Sequence, residues 1–169
     1  MNVAPRTLRG WAPTATVVIV ADQLTKAWAV DQLSDRNIDL FWTLRLNLSY
    51  NTGMAFSAGQ NWGPVIGVVA MLVVVGLLLS MRRQPGRLTD LAVGLIIGGA
   101  IGNIIDRLFR QDGWLRGGVV DFIDFQWFPI FNVADSAITV GGALLVLGSY
   151  LQSRHEHDEP MPVAEERLP

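Results

Sequence analysis

The charged residues of this chain are segregated along the sequence, and this segregation constrains the fold more than any other feature. Three long stretches contain no charged side chain, and they lie between Arg45 and Arg82, between Asp90 and Asp106, and between Asp135 and Arg154. Within the first stretch, residues 63–81 are apolar apart from Ser80. A helix of that length spans roughly 28 Å at about 1.5 Å per residue, which matches the hydrocarbon core of a bilayer. The chain is therefore predicted to cross a membrane.

The whole pattern predicts an all-α integral membrane protein with four transmembrane helices. Half of the residues are hydrophobic and 17% are charged, whereas a soluble domain carries about 25% charged residues. The alternative, a soluble helical bundle, requires a polar stripe on every helix, and residues 65–79 have none. The four helices are expected at residues 11–30, 63–81, 91–108 and 134–151.

These helices define one domain, residues 1–151, with outer loops at residues 31–62 and 109–133. Residues 152–169 contain five acidic residues and three prolines. This composition is typical of segments that cannot bury enough apolar surface to fold. We therefore expect residues 152–169 to be a disordered cytoplasmic tail.

The first predicted helix has some features of a cleaved secretory signal peptide. Arg6 and Arg9 precede an apolar run, and residues 27–29 (AWA) resemble a cleavage site. However, Asp22 and Lys26 interrupt the region that should be unbroken. Because they are four residues apart, they share one face of a helix and can form an ion pair. A retained helix with an inward-facing ion pair fits the sequence better.

The distribution of arginine predicts the orientation in the membrane. Basic residues concentrate on the cytoplasmic side of membrane proteins. Six arginines flank the ends of the predicted helices that lie on one side, and they are Arg6, Arg9, Arg82, Arg83, Arg87 and Arg154. Both termini are therefore predicted to be cytoplasmic, and the two long loops extracytoplasmic, in a multi-pass protein.

The outer loops contain two segments with the pattern of β-strands. Residues 44–50 alternate strictly between apolar and polar side chains, and residues 119–125 also read as extended. We expect a small extracytoplasmic β platform. Five aromatic residues near the predicted interface are expected to act mainly as anchors, and they are Trp42, Trp62, Trp114, Trp127 and Phe128.

The third predicted helix combines a stripe of small residues with a polar end. Gly94, Gly98 and Gly102 recur at a spacing of four, which permits close helix contact in lipid. The outer end of the same helix contains Asn103, Asp106 and Arg107, and polar groups are costly there unless they are satisfied. A structural polar cluster and a substrate-contacting cluster are both consistent with this pattern.

Asp121 and Asp135 are the candidates for acid–base chemistry. The predicted loop between them can bring both carboxyl groups to one level near the outer interface. Two carboxylates in a low-dielectric site do not easily both ionise, and such an asymmetric pair suits hydrolysis. A cation site is an alternative, and Asp135 can also simply cap its helix. Asp124 is expected to face the opposite side of its strand from Asp121.

Several other classes of function are excluded or unsupported. The formal net charge of −2 leaves no basic surface suited to nucleic acid. The absence of cysteine excludes thiolate metal sites and a cysteine nucleophile. The sequence also contains neither a phosphate-binding loop motif nor an H-E-x-x-H metal motif.

Five stretches, in this order, resemble the lipoprotein signal peptidase family, also called signal peptidase II. The resemblance covers roughly residues 22–150. Together the five stretches are far more specific than any one of them. They are residues 22–26 (DQLTK), 50–56 (YNTGMAF), 98–107 (GGAIGNIIDR), 119–122 (VVDF) and 131–136 (FNVADS).

The resemblance implies an aspartyl endopeptidase of the bacterial plasma membrane that acts on lipid-modified prolipoproteins. Such an enzyme cuts immediately before the diacylglyceryl-modified cysteine, uses no metal or organic cofactor, and is inhibited by globomycin. The implied catalytic pair is Asp121 and Asp135. The further active-site residues implied are Asn51, Asn103, Arg107 and Asn132. Asp22, Lys26 and Asp106 are expected to have structural roles.

Two other functions compete with this one. A small transporter tends to place its ionisable residues near the bilayer midplane. Here only Asp22 and Lys26 are expected near mid-depth, while Asp106, Asp121 and Asp135 gather at one end. A membrane scaffold protein is the third possibility, and its acidic residues should tolerate conversion to amides.

Overall fold

The computed structural model describes residues 10–53, 63–80, 86–110 and 114–158. Within these ranges the chain forms four α-helices and one three-stranded sheet. In chain order the elements are α1 (Ala12–Gln32), β1 (Ile38–Phe41), β2 (Leu44–Asn51), α2 (Gly63–Ser80), α3 (Arg87–Phe109), β3 (Val119–Asp124) and α4 (Val133–Asp158).

The mostly helical architecture and the small sheet agree with the sequence-based expectation. Within the described ranges, two helices are long and apolar enough to cross a membrane, α3 over Arg87–Phe109 and α4 over Val133–Leu151. Helix α2 contains a shorter apolar stretch, Pro64–Leu77. Four spanning helices therefore remain a prediction.

Two helix ends differ from the predicted ones by four residues or more, because uncharged stretches are a poor guide to helix ends. Helix α3 begins at Arg87 rather than at residue 91, and the backbone N–H of Asp90 donates to Gly86 in its first turn. The carboxylate of Asp90 suits the positive end of the helix dipole.

Helix α4 continues to Asp158, so the predicted start of the tail at residue 152 is wrong. Polar residues extend the helix beyond its apolar part, where the Arg154 guanidinium lies 5.3 Å from the centre of the Tyr150 ring. Residues 159–169 lie outside the described residues.

The glycine stripe of α3 makes the predicted close helix contact, and its partner, which the sequence did not indicate, is α1. A Cβ atom added at Gly94 or Gly98 would lie 2.7 Å from the Cβ atom of Thr14 or Val18, respectively. These contacts advance together along both chains, so α1 and α3 run parallel. Helix α4 runs antiparallel to α3, because Gly99 lies against the beginning of α4 and Gly141 lies near the beginning of α3.

The sheet has the order β1-β2-β3, and both pairs of neighbours are antiparallel. Strands β2 and β3 fall where the sequence predicted them, whereas β1 was not predicted. Ala29 and Leu33 at the end of α1 form a buried cluster with Val120 and Phe122 of β3. The sheet therefore rests on the C-terminal end of α1, at the same end of the molecule as the beginning of α4.

The predicted aromatic anchors are mostly exposed. Trp42, Trp114, Trp127 and Phe128 all present at least half of their surface, while Trp62 lies outside the described residues. Their depth in a membrane stays a prediction.

Candidate active site

Asn132 is the centre of the candidate site, because its buried side chain links the two predicted acids. Its Nδ2 atom donates to Asp121 Oδ1 at 2.6 Å, and its Oδ1 atom accepts from the backbone N–H of Asp135 at 2.9 Å. Asn103 Nδ2 donates to the other side of the site, to Asp135 Oδ1 at 2.8 Å. The structure therefore brings together four residues that the sequence analysis assigned to the active site, and these are Asn103, Asp121, Asn132 and Asp135.

The local sequence explains how Asp135 is held. Asn132 immediately precedes the first residue of α4, and Asp135 lies in the first turn. The backbone N–H of Asn132 donates to Asp135 Oδ2 at 3.3 Å, which completes a reciprocal capping arrangement. Asp135 therefore does take part in capping its helix, as the alternative interpretation proposed. Capping uses one carboxylate oxygen, and the other oxygen faces Asn103.

The carboxyl group of Asp121 is poised to hold a proton near neutral pH. Its residue is 2% exposed, on a strand covered by other elements. Burial raises the pKa of Asp121 to about 7, and the negative charge of Asp135 contributes to this rise. Hydrogen bonds from Asn132 and Asn51 oppose it. The interaction with Asp135 means that the two carboxyl groups titrate as a pair.

Asn51, at the end of β2, approaches the site from the sheet. Its side chain hydrogen bonds to Asp121, and its Oδ1 atom accepts from the backbone N–H of Gly53 at 3.0 Å. This second contact forms a tight turn that fixes the amide in place. The neighbouring residues 54–62, which include the rest of the YNTGMAF stretch, lie outside the described residues.

Arg107 contributes a buried positive charge near the two acids. It is 5% exposed and lies within electrostatic reach of Asp121 and Asp135. Its Nη2 atom donates to the carbonyl oxygen of Gly53 at 3.2 Å. Its Nη1 atom is buried and has no hydrogen-bond acceptor in the part of the chain that the structure describes. A buried donor without a partner is costly, so this atom is a candidate contact for a substrate carbonyl.

Asp124 is placed away from this site, as its position on the strand predicted. Arg45 Nε donates to Asp124 Oδ2 at 2.7 Å, and Asn47 donates to the same oxygen at 3.1 Å. Burial opposes ionisation of this carboxyl group, but the hydrogen bonds outweigh it and hold the pKa of Asp124 below its usual range.

The three residues expected to be structural form one buried ion cluster beside the site. Lys26 Nζ lies 2.8 Å from Asp22 Oδ2 and 2.9 Å from Asp106 Oδ2. All three side chains are fully buried. Asp106 also pairs with Arg110 and accepts a hydrogen bond from the backbone N–H of Val120 in β3.

The expectation that Asp22 and Lys26 lie apart from the other acids is wrong, because Lys26 pairs with Asp106. Their depth in a membrane stays a prediction. Asp22 Oδ1 accepts from the backbone N–H of Ala134, the second residue of α4. Helix α1 extends past this level to reach the sheet, so the middle of α1 lies beside the beginning of α4. The ion cluster and the candidate site are therefore neighbours.

Sequence reasoning missed three members of this region. Gln23 Nε2 donates to Asp22, Asp106 and the carbonyl oxygen of Gly102. Arg110 neutralises part of the charge of Asp106, and its position four residues later was a usable signal. The role of Gly53 as an acceptor for Arg107 left no trace in the sequence.

The assembled groups suit hydrolysis better than metal binding. Among residues 10–53, 63–80, 86–110 and 114–158, no three or more His, Cys, Asp or Glu side chains are placed to hold a metal ion. Two interacting carboxyl groups, one of them with a pKa near neutrality, can instead transfer protons in both directions.

Comparison with known proteins shows to which family the chain belongs. The family model described as signal peptidase II matches residues 14–151. A protein named lipoprotein signal peptidase from Mycobacterium leprae (strain Br4923) is 40% identical over 145 residues, which cover 85% of this chain and 72% of that protein. A relative of the same name from Shouchella clausii (strain KSM-K16) is 42% identical over 147 residues, which cover 84% of this chain and 93% of that protein.

A solved structure supports the fold independently. It is described as a bacterial membrane enzyme determined by the in meso method at 2.3 Å resolution. The TM-score is 0.77 at 24% identity, and the match covers 92% of this chain and 96% of that one. With the family model spanning most of the sequence and relatives at about 40% identity, the chain belongs to the signal peptidase II family of peptidases.

Proposed function

We propose that this chain is an aspartyl endopeptidase that removes the signal peptide from diacylglyceryl-modified prolipoproteins. The cut falls immediately before the lipidated cysteine. The observation that carries the proposal is the bridge made by Asn132, whose side chain contacts both the Asp121 carboxyl group and the backbone N–H of Asp135. The names of the relatives support the class of substrate.

The two acids divide the proton transfers between them. We assign the ionised state to Asp135, because it lies at the positive end of α4 and accepts hydrogen bonds from Asn103 and Asn132. Asp121, with its raised pKa, holds the proton. Asp135 removes a proton from water as the water oxygen attacks the scissile carbonyl carbon, and Asp121 gives its proton to the carbonyl oxygen.

Collapse of the tetrahedral intermediate completes the reaction. The C–N bond breaks, the leaving nitrogen of the lipidated cysteine takes a proton from Asp135, and Asp121 recovers its own from the intermediate. These reaction steps need no metal or organic cofactor.

The polar groups around the two acids bind the peptide. Arg107 Nη1 is the buried donor without a partner among the described residues, and we assign it to a substrate carbonyl oxygen. Asn51 and the amide groups of Asn103 and Asn132 complete the polar lining. Each of these three amides also contacts one of the acids, so substrate contact and acid positioning are coupled.

The proposed membrane arrangement has four spanning helices, cytoplasmic termini and an extracytoplasmic site. The parallel packing of α1 on α3 supports it, because both helices then begin on one side and end beside the sheet. In this arrangement the signal peptide and the acyl chains stay in lipid while the scissile bond reaches the acids. A reporter fused near Asn37 should be extracytoplasmic, and one fused after Arg83 cytoplasmic. The opposite labelling would overturn the orientation.

Cleavage by the purified protein tests the function. A prolipoprotein carrying the diacylglyceryl group should be cleaved, and globomycin should block cleavage. The unlipidated precursor should be cleaved poorly, because each buried methylene group of the acyl chains contributes about 0.8 kcal/mol to membrane anchoring. Equal rates for the two precursors would remove lipid recognition from the proposal.

A further inference from the structure

A chain of three hydrogen-bonded groups connects the buried ion cluster to the proposed dyad. Lys26 Nζ donates to Asn103 Oδ1 at 2.9 Å, and Asn103 Nδ2 donates to Asp135 Oδ1 at 2.8 Å. Lys26 and Asn103 are 77 positions apart in the sequence and lie on different helices. The ammonium group is fully buried, so its contacts with Asp22, Asp106 and Asn103 replace its hydration.

The direction of these bonds matters because an amide has two different ends. Asn103 can present either its oxygen or its NH₂ group to Asp135, and only the NH₂ group can donate to a carboxylate. An ammonium group has three donors and no acceptor. With Lys26 at 2.9 Å from Oδ1, the oxygen is held on the side of α1, and Nδ2 must face Asp135. Asn132 Nδ2 adds a longer contact to the same oxygen, at 3.3 Å.

We propose that Lys26 is a positioning residue for the peptidase reaction, which fixes the side-chain amide of Asn103 so that it donates to Asp135. The inference rests on the proposed dyad. It assigns Lys26 a function beyond the structural role expected from its ion pair with Asp22. It also explains why the ion cluster lies directly beside the acids rather than elsewhere along α1.

The charges around Lys26 decide which variant can test the inference. Removal of Lys26 alone leaves the carboxylates of Asp22 and Asp106 without the ammonium group that they share. An unpaired buried charge is strongly destabilising. The combination Asp22→Asn with Lys26→Met removes one negative and one positive charge together, so Asp106 keeps its partner Arg110. Asp22→Asn alone, in which Lys26 still reaches Asn103, is the reference.

A double-mutant cycle separates positioning from general structural damage. In the Asp22→Asn reference, Lys26→Met should lower kcat by about tenfold or more and change KM by less than about threefold. In the same reference carrying Asn103→Ala, Lys26→Met should lower kcat by less than about twofold, because residues that act through one another are not additive. Equal factors in both backgrounds, or no effect in either, would overturn the inference.

Two controls keep the experiment decisive. Arg45→Met with Asp124→Asn removes a partly buried ion pair of another region in a charge-neutral way, and it should leave the Lys26 cycle unchanged. If the protein carrying Lys26→Met has no cooperative melting transition, Lys26→Gln in the Asp22→Asn reference replaces it, since the glutamine side chain is one bond too short to reach Asn103. The same two outcomes then apply.

The activity of Asp121→Asn, measured in parallel, distinguishes failure of the proposed dyad from failure of the proposed role of Lys26. An inactive Asp121→Asn protein with an additive cycle would reject only the role of Lys26. An active Asp121→Asn protein would reject the proposed dyad itself, whatever the cycle gives.

Discussion

Asp121 and Asp124 lie three residues apart on β3 and are almost equally buried, at 2% and 3% exposure, yet their surroundings differ completely. Asp124 meets a cation, because Arg45 Nε is 2.7 Å from its Oδ2 atom. Asp121 meets an amide, Asn132 Nδ2, at 2.6 Å, and a second carboxyl group. The pKa of Asp124 is therefore held below its usual range, while burial raises the pKa of Asp121 to about 7.

The contrast shows that low solvent exposure alone does not set the pKa of an acid, because Asp121 lies deeper in the protein than Asp124 and also meets different partners. A buried carboxylate paired with arginine stays ionised and fastens two strands together. A buried carboxyl group that accepts hydrogen bonds from neutral amides, beside another acid, can exchange its proton near neutral pH. The alternation of the strand separates the two environments.

The largest expected effect is the loss of activity when either dyad acid becomes an amide. Asp121→Asn and Asp135→Asn should each lower kcat by at least about 10³-fold, because Asn cannot perform the proton transfers. The assay is cleavage of a diacylglyceryl-modified prolipoprotein in detergent, with the melting temperature as a check on folding. Turnover near the wild-type rate in either folded variant would reject the dyad.

The next largest effect is expected for Arg107, the buried cation that interacts electrostatically with Asp121 and Asp135. Arg107→Met should lower kcat/KM by about 10- to 100-fold, which corresponds to the loss of a hydrogen bond to a charged donor. Steady-state kinetics with the lipidated substrate measures this, and Arg110→Met, which removes a cation of the same helix that pairs with Asp106, is the matched control. A similar loss in both variants would indicate a general effect on α3 rather than substrate contact.

The pH dependence is expected to follow Asp121 rather than Asp124. The proposed mechanism requires protonated Asp121, so kcat/KM should decline above its pKa of about 7, by about tenfold per pH unit. The same shift predicts the effect on stability. The folded-state pKa is above the unfolded value of about 4, so the contribution of Asp121 is complete below pH 4 and decreases towards pH 7. Melting temperatures that do not decrease over this interval, or that decrease equally in Asp121→Asn, would contradict the assignment.

The smallest effect on activity is expected for Asp124→Asn. Its kcat/KM should stay within about threefold of wild type, because Asp124 faces Arg45 and Asn47 rather than the dyad. Stability should decrease by about 1–2 kcal/mol from the weakened hydrogen bonds, a modest value because the Arg45 side chain is 31% exposed. Equilibrium unfolding in detergent measures it. An inactive, folded Asp124→Asn protein would mean that the wrong acid of the strand was chosen.

Local patterns in the sequence predicted much of the fold. They also predicted that Asp121 and Asp124 face opposite sides of their strand, but not which residues each acid contacts. The alternation in residues 44–50 predicted β2, residues 119–125 were expected to be extended, and the spacing of three predicted opposite faces for Asp121 and Asp124. The spacing of four predicted the pair between Asp22 and Lys26, which is 2.8 Å long. Both patterns depend only on the geometry of one element, which is why they can be found without a structure.

Features that depend on packing between distant segments could not be predicted. Strand β1 turns into β2 through Trp42, whose backbone φ of 52° is unusual for a residue other than glycine. The contacts of Lys26 with Asn103 and of Arg107 with Gly53 join segments that are 77 and 54 positions apart. Their existence depends on how closely α1 approaches α3 and on where β2 ends.

The central claim is that Asp121 holds a proton near neutral pH and Asp124 does not. A carboxyl ¹³C NMR titration of the purified protein, with Asp labelled, tests this directly and without an activity assay. One resonance should titrate near pH 7 and be absent from the spectrum of Asp121→Asn, while Asp124→Asn should retain it. If the resonance near pH 7 is lost from Asp124→Asn instead, or if Asp121 titrates near pH 4, the account is contradicted.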